Sequence, residues 1–172
     1  MASETSPAGS AESPSDQLID DASEWIGIST APHRFNAVEF NLDDYEVGHV
    51  HQGGTLDINF PKRMRDALIE EGSAEEHHYV PESGWTTYRM NSTEDLDGGR
   101  WLLRVSYLYR ALTQRNNPTG EEILENVDIA AELDELEISD SVREIFENGG
   151  YRRQIGSDNA PVLRVLFGGG GF

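Results

Sequence analysis

The chain has 172 residues, a length that suits one domain or one domain with an extension. Its 32 acidic and 13 basic residues leave a formal charge of −19, which opposes nucleic-acid binding, where phosphates must be neutralised, and docking on anionic lipid. There is no cysteine, which excludes disulfide and thiolate chemistry, and Lys62 is the only lysine beside twelve arginines; this is the composition of proteins that stay soluble in molar KCl, where the screening length is about 3 Å and carboxylates repel one another little.

Residues 1–12 are mainly Ser, Ala, Glu and Pro, and are expected to form a disordered tail with no apolar targeting segment. No later run approaches a membrane span, so the expected location is the cytoplasm. Ser13-Pro14-Ser15-Asp16 starts a helix, with Ser13 as cap, proline at the first helical position and an acid in the first turn. Leu18, Ala22, Trp25 and Ile26 follow at helical spacing, and Thr30-Ala31-Pro32 is expected to end this helix, giving 14–29. The period then switches to two, predicting strands at 34–42, 45–51 and 55–60. Pro61 opens a helix over 61–71, with Met64, Ala67 and Leu68 on one face and Gly72 just past its end. Strands are predicted at 77–80 and 85–90, on either side of the turn Pro81-Glu82-Ser83-Gly84. Ser92 and Asp95 have capping-box spacing and open a long helix, 93–115, with Leu96, Leu103, Tyr107 and Ala111 on one stripe, before Asn116-Asn117-Pro118 stops it.

Beyond Pro118 the composition turns acidic. Residues 121–136 are weakly amphipathic, 139–148 predict a short helix, and 151–155 with 162–167 predict a hairpin. The expected fold is therefore α+β, with an antiparallel sheet of about four to five strands and helices on its apolar face. That domain spans 13–117, and an acidic, partly helical extension covers 118–172.

Four of the five histidines lie between His49 and His78, and the fifth is His33. On a strand, His49 and His51 share a face. A two-residue Gly53-Gly54 loop would set both imidazoles among aliphatic side chains. A three-residue loop, Gln52-Gly53-Gly54, pairs His49 with Asp57 and His51 with Thr55, and leaves Val50, Leu56, Ile58 and Phe60 on the opposite face. The second register makes one face apolar and gathers His49, His51, Thr55, Asp57 and Asn59 on the other. In a regular strand Glu46 falls off that face, so Asp57 is the expected partner of the imidazoles. Two histidines and a carboxylate suit a divalent metal. They also suit general-base catalysis, with His49 or His51 as base and Glu46 or Asp57 orienting it, or a mutually satisfied surface pair. His77 and His78 form a second cluster that could complete the site. Trp85 serves either as a core aromatic or as a surface for a bound small molecule.

Several ordered stretches, Glu46-Val47-Gly48-His49-Val50-His51, Thr55-Leu56-Asp57-Ile58, Arg65-Asp66-Ala67-Leu68, the run from Glu76 through Trp85, and Leu102-Leu103-Arg104-Val105-Ser106-Tyr107, together resemble the luciferase-domain family over about residues 32–112. Fungal members are oxygenases that need no cofactor and oxidise a hydroxylated styrylpyrone with O2. The resemblance implies a small-molecule ligand, an O2-using oxidation of a conjugated, enolisable substrate, and site roles for Glu46, His49, His51, His77 and Trp85. Asp57 stands where the fungal pattern has another histidine.

Overall fold

The computed structural model describes residues 10–148, so the hairpin expected within 151–167 and most of the expected N-terminal tail lie outside the described residues. Among the described residues, six strands form one antiparallel sheet in the order β1-β2-β3-β4-β6-β5. They are β1 Ile28–His33, β2 Ala37–Leu42, β3 Tyr45–His51, β4 Thr55–Asn59, β5 Glu75–Glu76 and β6 Trp85–Arg89. The helices are α1 Pro14–Ser23, α2 Lys62–Glu70, α3 Leu96–Thr113, α4 Pro118–Asn126, α5 Ile129–Glu135 and α6 Asp140–Asn148. No helix among the described residues is long and apolar enough to cross a membrane.

The alternating pattern of the strands decides which face is covered. Phe40, Leu42, Val50, Leu56 and Ile58 are fully buried beneath α1 and α3, which supply Leu18, Ala22, Leu102, Leu103 and Tyr107 to the same cluster. The capping box is present, with the Asp95 carboxylate accepting from the Ser92 N–H at 3.1 Å, and Gly72 takes a φ of 78° behind α2.

Three local expectations are corrected. The first helix ends at Ser23, because Gly27 adopts φ 79° and the chain then runs as an edge strand through Ile28–His33. Pro32 is tolerated there because only one side of β1 is paired. The strand expected at 34–42 starts at Ala37, since Phe35 and Asn36 turn at φ 58° and 60°. Residues 77–80 are not a strand; β5 stops at Glu76.

The boundary expected at 117 falls inside a single apolar core. Ile123, Ile129, Leu133, Val142 and Phe146 are buried with the sheet-facing residues of α3. Arg104 on α3 grips Glu132 through two donors, one at 2.7 Å, and the Trp101 indole N–H donates to the Leu136 carbonyl at 2.8 Å. Apolar residues on the inner side of α4–α6 thus dock an acidic segment onto the domain.

Candidate functional site

The open face of the sheet carries the histidines, and the β3–β4 hairpin positions them. His49 pairs with Asp57, Gly48 with Ile58 and Val50 with Leu56. The Gln52-Gly53-Gly54 loop closes with the Gly54 N–H donating to the His51 carbonyl at 3.0 Å, and Gly54 has a φ of 91° that favours glycine. Across β4, Asp57 pairs with Thr87 and Asn59 with Trp85, so β6 adds both residues to the same face.

Glu46 departs from the regular alternation. Phe40 pairs with Gly48 but Asn41 pairs with Glu46, leaving Val47 as one extra residue on β3. This bulge buries Val47 and returns Glu46 to the face of His49. Glu46 Oε1 lies 2.6 Å from His49 Nδ1, and Asp57 Oδ2 lies 3.3 Å from His49 Nε2 and 3.4 Å from His51 Nε2. The Thr87 hydroxyl donates to the other Asp57 oxygen at 2.6 Å.

His49 and Asp57 are buried, whereas His51 is half-exposed. Burial pulls the His49 imidazole down, but the carboxylates of Asp57 and Glu46 more than offset it and hold the group up at about 9. Burial likewise pushes Asp57 up, yet His49, the Thr87 hydroxyl and His77 outweigh it and hold the carboxyl below its ordinary range. An imidazole clamped between two carboxylates keeps its proton at neutral pH. His51, the more exposed of the two, is the β3 imidazole that lines the cleft.

The turn after β5 brings in the second cluster. His77 Nε2 lies 3.8 Å from Asp57 Oδ2, while the N–H groups of Tyr79 and Val80 donate to its Nδ1 at 3.2 and 3.3 Å. His78 is exposed and meets the ring of Tyr79, at a centroid distance of 5.1 Å. The Trp85 indole is half-buried, 5.4 Å from the His49 ring and 6.2 Å from the His77 ring. It borders the site on the open face of the sheet. An open cleft of about 450 Å³ runs over this floor, with His51, Asp57, His77, His78, Tyr79 and Thr87 among its walls.

Three contributors were not anticipated from the sequence. His33, at the end of β1, stacks on His49 at 4.1 Å and approaches Glu46 Oε1 at 3.8 Å. The β-branched and small residues Ile28-Ser29-Thr30 ahead of Pro32 were the available sign of the strand that carries it. Thr87 fixes Asp57 from the neighbouring strand. Arg65, largely buried on α2, bonds the Pro81 carbonyl and Asp66 and so anchors the turn bearing His77.

No curated protein and no solved structure matches the chain. Residues 44–106, which run from the start of β3 into α3 and include Glu46, His49, His51, Asp57, His77, His78 and Trp85 but not His33, match the family model of the Luciferase domain.

Proposed function

We propose that the protein is a small-molecule oxygenase that holds a conjugated, enolisable substrate in the cleft as its anion, to which O2 then adds. The observation that carries this reading is the fixed tautomer of His77. Two backbone N–H groups donate to Nδ1, so the ring proton of the neutral imidazole sits on Nε2, beside Asp57 at the cleft floor. The rings of Trp85 and Tyr79 stand 6.2 Å from the same imidazole. An N–H donor with aromatic rings nearby suits a flat molecule with an enolate oxygen. The Luciferase domain match over the site residues supports the same reaction class.

The reaction balances without a further reductant. The substrate loses one acidic proton to solvent through the open cleft, and its carbanion carbon forms a C–O bond with O2. That carbon is oxidised and O2 is reduced to the peroxide level. Uptake of one proton completes a hydroperoxide, so RH and O2 give ROOH.

An oxygen electrode tests this with a panel of hydroxypyrones and polyphenols in molar KCl. Wild type is expected to consume O2 with at least one member, and His77→Ala to lower that rate by roughly 10²-fold, the scale of losing one oxyanion donor. No uptake with any member, or undiminished uptake by His77→Ala, overturns the reading.

A further inference from the structure

We propose that His49 Nε2, His51 Nε2 and Asp57 Oδ2 form a binding site for one divalent first-row transition ion at the floor of the cleft. The inference rests on the same floor being the reactive centre, but binding is measured without any reaction.

The tautomer of His49 comes first. A carboxylate only accepts hydrogen bonds, so the 2.6 Å contact with Glu46 places a donated proton on Nδ1. Nε2 is then the atom turned toward Asp57. Without a metal, Nε2 directs the second ring proton at the carboxylate, and a divalent ion displaces that proton and takes its place between the same two atoms.

The spacing is the second observation. The distances from Asp57 Oδ2, 3.3 Å to His49 and 3.4 Å to His51, exceed the roughly 2.7–3.2 Å of an N–H···O bond. Two ligand atoms each about 2.0–2.1 Å from a tetrahedral ion stand about 3.3–3.4 Å apart. All three donor atoms lie within 4.8 Å of one another.

The surroundings match as well. Glu46 holds His49 from behind and Thr87 holds the far oxygen of Asp57, the outer contacts that orient metal ligands. Two imidazoles and one carboxylate suit Zn²⁺ or Fe²⁺, whereas Mg²⁺ and Ca²⁺ prefer oxygen alone. His77 stays outside the ligand set, because its Nε2 carries the proton and lies at 3.8 Å. Three protein ligands leave a position free on the cleft side, where an anionic substrate oxygen is expected.

The test uses the full chain, stripped with a chelator and kept in molar KCl. Co²⁺ is titrated while visible absorption is followed, and Zn²⁺ is added in competition. Wild type is expected to take up one equivalent of Co²⁺, with the intense bands of a low-coordinate, imidazole-bound ion that Zn²⁺ displaces. Glu46→Gln is expected to weaken binding by roughly 10- to 100-fold, and His51→Ala and Asp57→Asn to remove the saturable phase, with circular dichroism reporting the fold of each. Failure of wild type to bind one equivalent overturns the site. So does binding unchanged in His51→Ala and Asp57→Asn, which would place the ion on surface carboxylates. Should the variants unfold, the wild-type spectrum decides, since the weak bands of six-coordinate, oxygen-bound Co²⁺ overturn the proposal. Metal-stripped protein that binds no Co²⁺ but still oxidises a substrate also overturns the ion site and keeps the oxygenase. An ion bound as described with no oxidation of any substrate supports the site and overturns the oxygenase.

Discussion

His49 and His51 lie two residues apart on one strand, yet their side chains are 10 % and 27 % exposed, and their replacement should separate stability from function. His51→Ala removes a half-exposed group and is expected to cost at most about 1 kcal/mol. His49→Ala leaves Glu46 and the buried Asp57 without the imidazole between them, and about 1–3 kcal/mol is expected for groups left unsatisfied in this way. On the covered face, Leu56→Ala or Ile58→Ala deletes a fully buried side chain and should cost about 2–5 kcal/mol. Thermal melts of the four variants give the order directly. If His51→Ala melts as low as Leu56→Ala, the imidazole is a core group and its place in the cleft is incidental.

The β3–β4 hairpin is the element on which the site depends, and Gly48 is where β3 lies close against β4 beside the site. A Cβ on Gly48 would stand 2.8 Å from the Asp57 carbonyl and 3.3 Å from Ile58 Cγ1, so Gly48→Ala must push β3 from β4 next to the His49–Asp57 pair. The expected cost is about 1–3 kcal/mol, as for other overpacked sites, together with weaker Co²⁺ uptake. A variant with wild-type melting temperature and wild-type Co²⁺ titration would show that the spacing tolerates a methyl group. The hairpin register was legible because only the three-residue loop makes one face apolar, and that pairing places His49 opposite Asp57. Glu46 entered through the family resemblance, but its place on the histidine face was not legible, since period two assumes no extra residue and nothing in Glu46-Val47-Gly48 marks the bulge at Val47. His33 was hidden for a related reason. Its strand follows a helix whose apolar spacing continues through Trp25 and Ile26, and the conformation of Gly27 ends that pattern only in three dimensions. The short β5 and the turn over 77–80 depend on Arg65 holding the Pro81 carbonyl from α2, a contact between distant residues that no local pattern signals.

At the scale of the whole molecule, charge and packing act against each other in α4–α6. Their inner residues Ile123, Leu133 and Val142 are fully buried, while Glu121, Glu122, Glu125, Asp134 and Glu135 are exposed. The segment therefore carries its share of the −19 charge on the same short helices that complete the core. In dilute buffer the screening length is about 30 Å at 0.01 M salt, so these carboxylates repel one another and the acids of α1 across the domain. At 1 M it falls to about 3 Å, and the repulsion that opposes docking of α4–α6 is largely removed while the apolar contacts remain. Folding is accordingly expected to depend on salt. Circular dichroism should show loss of helical signal on dialysis into low salt and recovery in molar KCl. Trp101, whose indole N–H bonds the Leu136 carbonyl, should report the same transition by fluorescence as the helices leave α3. Sodium sulfate and KCl at equal ionic strength separate screening from the strengthening of apolar burial, since sulfate does more of the second. An unchanged spectrum and melting temperature from dilute buffer to molar KCl would mean that the buried residues of α4–α6 outweigh the charge unaided and that the acidic surface is no adaptation to salt.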